Sequence, residues 1–298
     1  MKWAKSLLLS AGLLVSACTQ ERPASVSAPQ TGPALWAVKD ADTTVYLFGT
    51  VHVLPEGVEW FRGAPKAAFD KSDELVLEII EPENQAEMAQ IMGAKAIATD
   101  GVRLSDRLTA EQRTKYQAAM SANGLPWQAF ETFSPWLPGI MLAVAPLEKL
   151  GYRGDLGAEK TLTRAAKASA KRIGALETAE QQLGFFSGLP VAQQLAFLNS
   201  TVDGLPEMEQ EFGALVTHWR NGDPDKLAEQ MNEAMEATPE LADTLLYQRN
   251  ARWAQWIKTR LEQPGTVFVA VGAGHLAGKN SVQDKLRDLG IASARVTK

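Results

Sequence analysis

The run Thr266-Val267-Phe268-Val269-Ala270-Val271 is apolar at every position but its first. A strand without polar alternation has to be covered on both faces, which is the signature of an α/β sheet with helices on each side. The run ends abruptly in Gly272-Ala273-Gly274-His275, so a tight polar turn follows the buried strand. A second β-type run, Thr44-Val45-Tyr46-Leu47-Phe48, passes in the same way into Gly49-Thr50-Val51-His52. The chain has three histidines, and two of them, His52 and His275, stand in this Gly-x-x-His position.

The remaining pattern builds around these two strands. Leu35-Trp36-Ala37-Val38, the polar turn Lys39-Asp40-Ala41-Asp42 and the second run read as a hairpin. Glu74-Leu75-Val76-Leu77-Glu78-Ile79 is a third short run, and the helical stretch before it, about Ala64 to Lys71, makes a strand–helix–strand unit. From about Asn84 to Arg260 apolar residues recur every three or four positions among Ala, Gln, Glu, Leu and Lys, the spacing of amphipathic helices. Gly124-Leu125-Pro126, Ser134-Pro135, Gly188-Leu189-Pro190, Gly204-Leu205-Pro206 and Asp223-Pro224 cut them to ordinary lengths, and Arg172 to Leu176 interrupts them as one short strand. A last helix, about Ser281 to Leu289, leads through Gly290 to a final strand, Ile291 to Val296. The expected fold is therefore α/β with α+β character: a central mixed sheet in one domain over 34–298, carrying a large mostly helical insertion at about 84–260.

Charge excludes one class of partner. A formal net charge of −5, with no long Lys/Arg block, gives no footprint for a phosphate backbone, so nucleic acid is not expected. The single cysteine, Cys18, excludes an internal disulfide and any cysteine metal cluster. It closes a segment in which Lys2 and Lys5 precede the apolar stretch Leu7 to Val15, too short for a bilayer span of about 20 residues. Residues 1–17 read as a signal peptide. Val15-Ser16-Ala17-Cys18 is similar to the bacterial lipobox, which would make Cys18 the lipidated mature N-terminus and 18–33, rich in Pro, Ser, Ala and Gln, a flexible tether. A plain secretory signal with an incidental Cys18 is the alternative, and both imply export. Thr19 rather than Asp after the cysteine slightly favours the outer membrane, with the domain facing the periplasm.

The candidate chemistry gathers at strand ends, where α/β sheets bind their ligands. His52 and His275 there suit either a metal or proton transfer, and local backbone capping is the competing reading. Glu78 stands in an otherwise apolar strand and needs a partner, whether cation, histidinium or metal, unless it marks the strand's solvent end. Glu177 ends the short strand, where a helix-capping role beside Thr178 is the simplest account. Glu159, after Gly157-Ala158, lies in a first helical turn that favours an acid. Arg249-Asn250 follows Leu245-Leu246-Tyr247 on a long helix, where an arginine could grip a carboxylate bidentately or simply face water. Trp253 and Trp256 read as core, and His218 as structural or surface. Gly272-Ala273-Gly274 lacks the third glycine of a dinucleotide loop, and neither Gly-x-Ser-x-Gly nor His-Glu-x-x-His occurs.

Phe48-Gly49-Thr50-Val51-His52, Leu77-Glu78, Gly157-Ala158-Glu159, Leu176-Glu177-Thr178 with Gln181-Gln182-Leu183, Arg249-Asn250 and Val271-Gly272-Ala273-Gly274-His275-Leu276-Ala277-Gly278 together resemble the TraB/GumN family in order and spacing, over about Leu35 to Val296. That family includes the animal Tiki proteins, described as metal-dependent proteases of Wnt ligands, and resembles the erythromycin esterase and ChaN-like haem-binding proteins in fold. The resemblance implies that His52, Glu78 and His275 are catalytic residues or ligands of a divalent metal such as Mn, Co or Zn. It makes Gly49, Thr50, Glu159, Glu177, Arg249, Asn250 and Gly272 substrate-binding or supporting groups. Two readings follow: a lipid-anchored, metalloprotease-like hydrolase of peptide, ester or envelope-derived substrates, with or without metal, and a non-catalytic protein that holds haem, metal or a small molecule.

Overall fold

A computed structural model describes residues 32–82, 85–236 and 239–297. The signal peptide, Cys18 and the tether as far as residue 31 lie outside the described residues. Six strands, β1 (Leu35–Lys39), β2 (Thr43–Thr50), β3 (Glu74–Leu77), β4 (Arg172–Ala175), β5 (Gly265–Gly272) and β6 (Ser293–Arg295), form one mixed sheet in the order β4-β3-β5-β2-β1-β6. β2, β3, β4 and β5 run parallel, whereas β1 is antiparallel to both β2 and β6. The hairpin forms as expected, and the Asp40 carboxylate accepts the N–H groups of Asp42 and Thr43 to close its turn. The final strand is shorter than the apolar pattern suggests, because β6 is the edge strand and pairs with β1 alone, at three positions.

Twelve helices are described. The first six are α1 (Gly63–Lys71), α2 (Gln85–Ala96), α3 (Ala110–Ala122), α4 (Trp136–Lys149), α5 (Ala158–Ala168) and α6 (Ala179–Ser187). The others are α7 (Val191–Gly204), α8 (Met208–Arg220), α9 (Pro224–Glu236), α10 (Pro239–Ala242), α11 (Gln248–Arg260) and α12 (Val282–Asp288). No helix among the described residues is long and apolar enough to cross a membrane.

β5 explains why its sequence shows no alternation. Phe268 and Ala270 enter one core with Phe48, Leu75 and Leu77, closed by Phe69 of α1, Leu162 of α5 and Trp219 of α8. Val267, Val269 and Val271 point the other way, onto Trp253, Ala254 and Ile257 of α11 and Leu286 of α12. The segment between β3 and β5 is mostly helical, but it is not all insertion. β4 joins the sheet, α5 and α8 cover one face and α11 the other, while α3, α4 and α7 build a separate core around Tyr116, Met120, Leu142 and Leu198.

Candidate functional site

Each of the four parallel strands delivers one titratable side chain within three residues of its carboxyl end: His52 after β2, Glu78 after β3, Glu177 after β4 and His275 after β5. Parallel pairing sends all four to the same edge of the sheet, as switch-point crevices require. Backbone bonds from Leu176 N–H to the Leu77 carbonyl and from Glu177 N–H to the Glu78 carbonyl carry the β3–β4 ladder past the strand ends and set the two glutamates side by side. Gly49 and Thr50 close β2. The Gly49 carbonyl accepts from the Trp219 indole at 2.7 Å, and Thr50 is buried.

Glu159 is brought to His52 by a close backbone crossing. Ala158 N–H, at the start of α5, donates to the Val51 carbonyl at 3.0 Å, and Leu54 and Arg153 pair as a two-way bridge. A side chain on Gly157 would begin 2.1 Å from the His52 carbonyl oxygen, so only glycine lets α5 approach. The Glu159 carboxylate then lies 2.7 Å from His52 Nδ1, while 72% of the His52 side chain stays open to solvent. The Glu159 charge holds the imidazole well above its ordinary range, at about 9. Conversely, burial raises the Glu159 carboxyl, but His52, Thr50 and the backbone together outweigh it, and the acid stays below its usual range. The helix-terminus account of Glu159 thus describes its location, and the histidine describes its use.

The other half of the site is a buried ion network. Arg249 Nη2 donates to Glu78 Oε2 at 2.6 Å and to Glu177 Oε2 at 2.8 Å, and Nε donates to both Glu177 oxygens at 3.0 and 3.1 Å. Its Nη1 donates to the Leu245 carbonyl at 3.0 Å, within the π-helical turn Asp243–Tyr247 that leads into α11. Arg249 is therefore buried, not on a solvated face, and Phe185 and Trp253 flank its guanidinium at 5.4 and 4.7 Å. Glu177 does not cap the next helix. Thr178 does so, in a capping box with Gln181, which leaves the Glu177 carboxylate for Arg249.

His275 is anchored by Asn250. The Asn250 amide Nδ2 donates to the Asn280 carbonyl, so its Oδ1 faces the ring and accepts from His275 Nδ1–H at 2.5 Å. That tautomer leaves Nε2 as an acceptor, and Arg249 Nη1 donates to it at 3.1 Å. Burial, with Arg249 and His52 adding to it, pushes His275 down to about 3, so the ring is neutral at ordinary pH. Glu78 is buried too, which disfavours its charge, yet the Arg249 guanidinium, the His52 imidazolium and the Gly272 N–H hold it below the usual carboxylate range. Gly272 N–H donates to Glu78 Oε1 at 2.6 Å. A side chain on Gly272 would start 3.2 Å from Glu78 Oε1 and 4.0 Å from His52 Nε2, so the missing Cβ leaves the space in which these groups meet.

The expected metal set of His52, Glu78 and His275 is not assembled as three free donors. Among the described residues no three His, Cys, Asp or Glu side chains are grouped to hold a metal ion. Glu78 Oε2 is taken by Arg249 and by Gln182 at 2.9 Å, Oε1 already receives Gly272 N–H, and the His275 lone pair receives Arg249. In this arrangement the residues do not fit a divalent ion. Gln182, Phe185 and the ring face of Trp253, 4.3 Å from the His275 ring, are site groups that periodicity concealed, because each also reads as ordinary helix. His218, half-buried on α8, belongs to no part of this site. Beside the site, the loop after His52 and the entrance to α5 enclose a depression of about 350 Å³ lined by Leu54, Val58, Trp60, Phe61 and Leu156.

The sequence has relatives among known proteins. The chain is 26% identical over 257 residues to the uncharacterized protein YbaP of Escherichia coli (strain K12), covering 86% of this chain and 93% of that one. It is 26% identical over 304 residues to the metalloprotease TIKI1 of Danio rerio, covering 85% and 61%. The human metalloprotease TIKI1 matches at 27% over 177 residues, half of this chain and 35% of its own length. No solved structure gives a significant match. The TraB/PrgY/gumN family model matches residues 34–295, nearly the whole described body and every site residue above, and the chain belongs to that family.

Proposed function

We propose that the chain is a hydrolase of peptide or ester bonds whose working groups are His52 and Glu78. The observation that carries this reading is their convergence over Gly272: a proton-bearing imidazole, open to solvent and held by Glu159, faces a buried ionised carboxylate across a space that has no side chain in it. Hydrolysis needs both halves of such a pair. Glu78 orients and polarises the attacking water, and His52 Nε2 donates to the oxygen or nitrogen on which charge develops as the scissile bond breaks. Glu78, neutralised by Arg249, is a weak base, so its part is positioning more than proton abstraction. His275 supports this pair, with its Nδ1 fixed by Asn250 and its Nε2 3.7 Å from Glu78 Oε1. The apolar depression beside His52 offers room for a nonpolar substrate group.

A metal-dependent form of the same reading, with Mn, Co or Zn, draws on the relatives named metalloproteases and on the anchoring of both histidines through Nδ1. It requires Arg249 to leave His275 and Glu78. The test is turnover of a panel of peptide and ester substrates by the parent chain, His52→Ala and Glu78→Gln, with and without a chelator. We expect each substitution to cost about 10²–10⁴-fold. Turnover that survives both substitutions, or none on any member of the panel, overturns the assignment and leaves a ligand-binding site for haem, metal or a small molecule.

We further propose that Cys18 is lipidated and anchors the domain on the periplasmic side of the envelope, the outer membrane being favoured by Thr19. An envelope-derived substrate follows from that location. Fractionation checks it: the parent is expected with membranes and Cys18→Ala in the soluble periplasmic fraction, and an unchanged distribution would refute the anchor.

A further inference from the structure

A guanidinium has five N–H donors and no acceptor. Arg249 uses all five: Nε–H goes to Glu177, the two Nη2 hydrogens to Glu78 and Glu177, and the two Nη1 hydrogens to the Leu245 carbonyl and His275 Nε2. Its coordination is complete, as that of a bound metal ion would be. The acceptors include Glu78 Oε2 and His275 Nε2, two of the atoms that an ion shared by these residues would need. The aromatic faces of Phe185 and Trp253 hold the planar cation in register, a fit that a hydrated point charge would not have. A divalent ion placed about 3 Å from this guanidinium, in a site shielded from water, would meet strong repulsion.

We propose that Arg249 is the resident cation of this site: it occupies, between Glu78, Glu177 and His275, the place of the divalent ion of a histidine–carboxylate centre, so the parent chain holds no stoichiometric metal there and removal of Arg249 uncovers a metal site. The charge balance agrees. Two buried carboxylates face one buried cation, and a neutral His275 adds a lone pair without adding charge. Without Arg249, two glutamates and a histidine already oriented by Asn250 would remain as a hard–borderline donor set suited to Zn²⁺, Mn²⁺ or Co²⁺. The inference stands whether or not the site hydrolyses anything, and its test reads metal binding instead of turnover.

The full-length chain, stripped with EDTA, is titrated calorimetrically with Zn²⁺, Mn²⁺ and Co²⁺ chlorides alongside Arg249→Met, Arg249→Lys and the double variant Arg249→Met/His275→Ala. The parent and Arg249→Lys are expected to show no one-to-one binding tighter than on the order of 100 µM. Arg249→Met is expected to bind one equivalent at least about tenfold more tightly, and the double variant to lose it. A parent that takes up one equivalent tightly, with the binding abolished by His275→Ala, overturns the proposal. So does an Arg249→Met chain that binds no better than the parent. Should Arg249→Met not fold, the parent and Arg249→Lys titrations decide: weak binding by both supports the resident cation, and tight binding by either refutes it.

Discussion

Arg249→Met is expected to lower the stability of the chain by about 3–5 kcal/mol, the largest effect of any single substitution in the sheet-edge network, because it leaves two buried carboxylates without their cation. Methionine keeps much of the volume and its packing on Phe185 and Trp253, so the loss reports charge more than cavity. Arg252 does not take over, since its guanidinium is 3.9 Å from Glu177 and half exposed. Urea denaturation is the measurement, and with an ordinary denaturant slope the midpoint should fall by at least about 1 M. Glu177→Gln in the Arg249→Met background should recover at least about 1 kcal/mol, because it removes one stranded charge while keeping a polar group beside Glu78. A single-variant loss under about 1 kcal/mol would mean that water reaches these carboxylates and that the network is not the sealed unit its geometry describes.

The parts of this site that could be read locally were those in which a residue conflicted with its own surroundings. Glu78 interrupts an apolar strand, and a charge there has to be answered by something. The two Gly-x-x-His turns stand out because β5 and β2 run apolar up to the glycine and stop. By contrast, Glu177 sits in a local context that already explains it: Thr178 and Gln181 form a complete capping box, and a glutamate one position earlier looks like part of the same helix start. Its true partner is Arg249, 72 positions away, and that meeting depends on the order β4-β3-β5 and on α11 crossing the opposite face, neither of which has a local signal. Trp253 shows the same limit from the other side. Its spacing correctly marks it as core, and the core it belongs to happens to form the wall behind His275 and Arg249. The choice between arginine and metal as the cation was closed to sequence for a related reason: histidines and a glutamate at strand ends are the donor set of either arrangement, and only the donors that reach them tell the two apart.

Glu159→Gln is expected to lower the proton affinity of His52 from about 9 toward the ordinary 6.5, since the Glu159 charge is the largest cause of the elevation. The sign follows directly: the carboxylate stabilises the imidazolium, and its removal makes the proton leave at lower pH. Water at the open face of the ring screens this pair, so its contribution to folding stability is small even though its effect on protonation is large. Because the chain has only three histidines, an NMR titration of the imidazole protons resolves the shift without any substrate. The catalytic consequence is a displaced basic limb. If protonated His52 is the proton donor, parent turnover holds up to about pH 9 and then falls, whereas the Glu159→Gln limb begins near pH 6.5. At pH 8 the protonated fraction then drops by roughly 30-fold, and turnover should follow while KM changes little. Gln keeps the shape and a hydrogen-bonding oxygen near Nδ1, so a folded variant with an unmoved pH profile would show that His52 acts as a neutral base or not at all. A profile that moves with the NMR titration identifies the working form as the imidazolium, and it places Glu159, acting through His52 Nδ1, in control of the pH range over which the site operates.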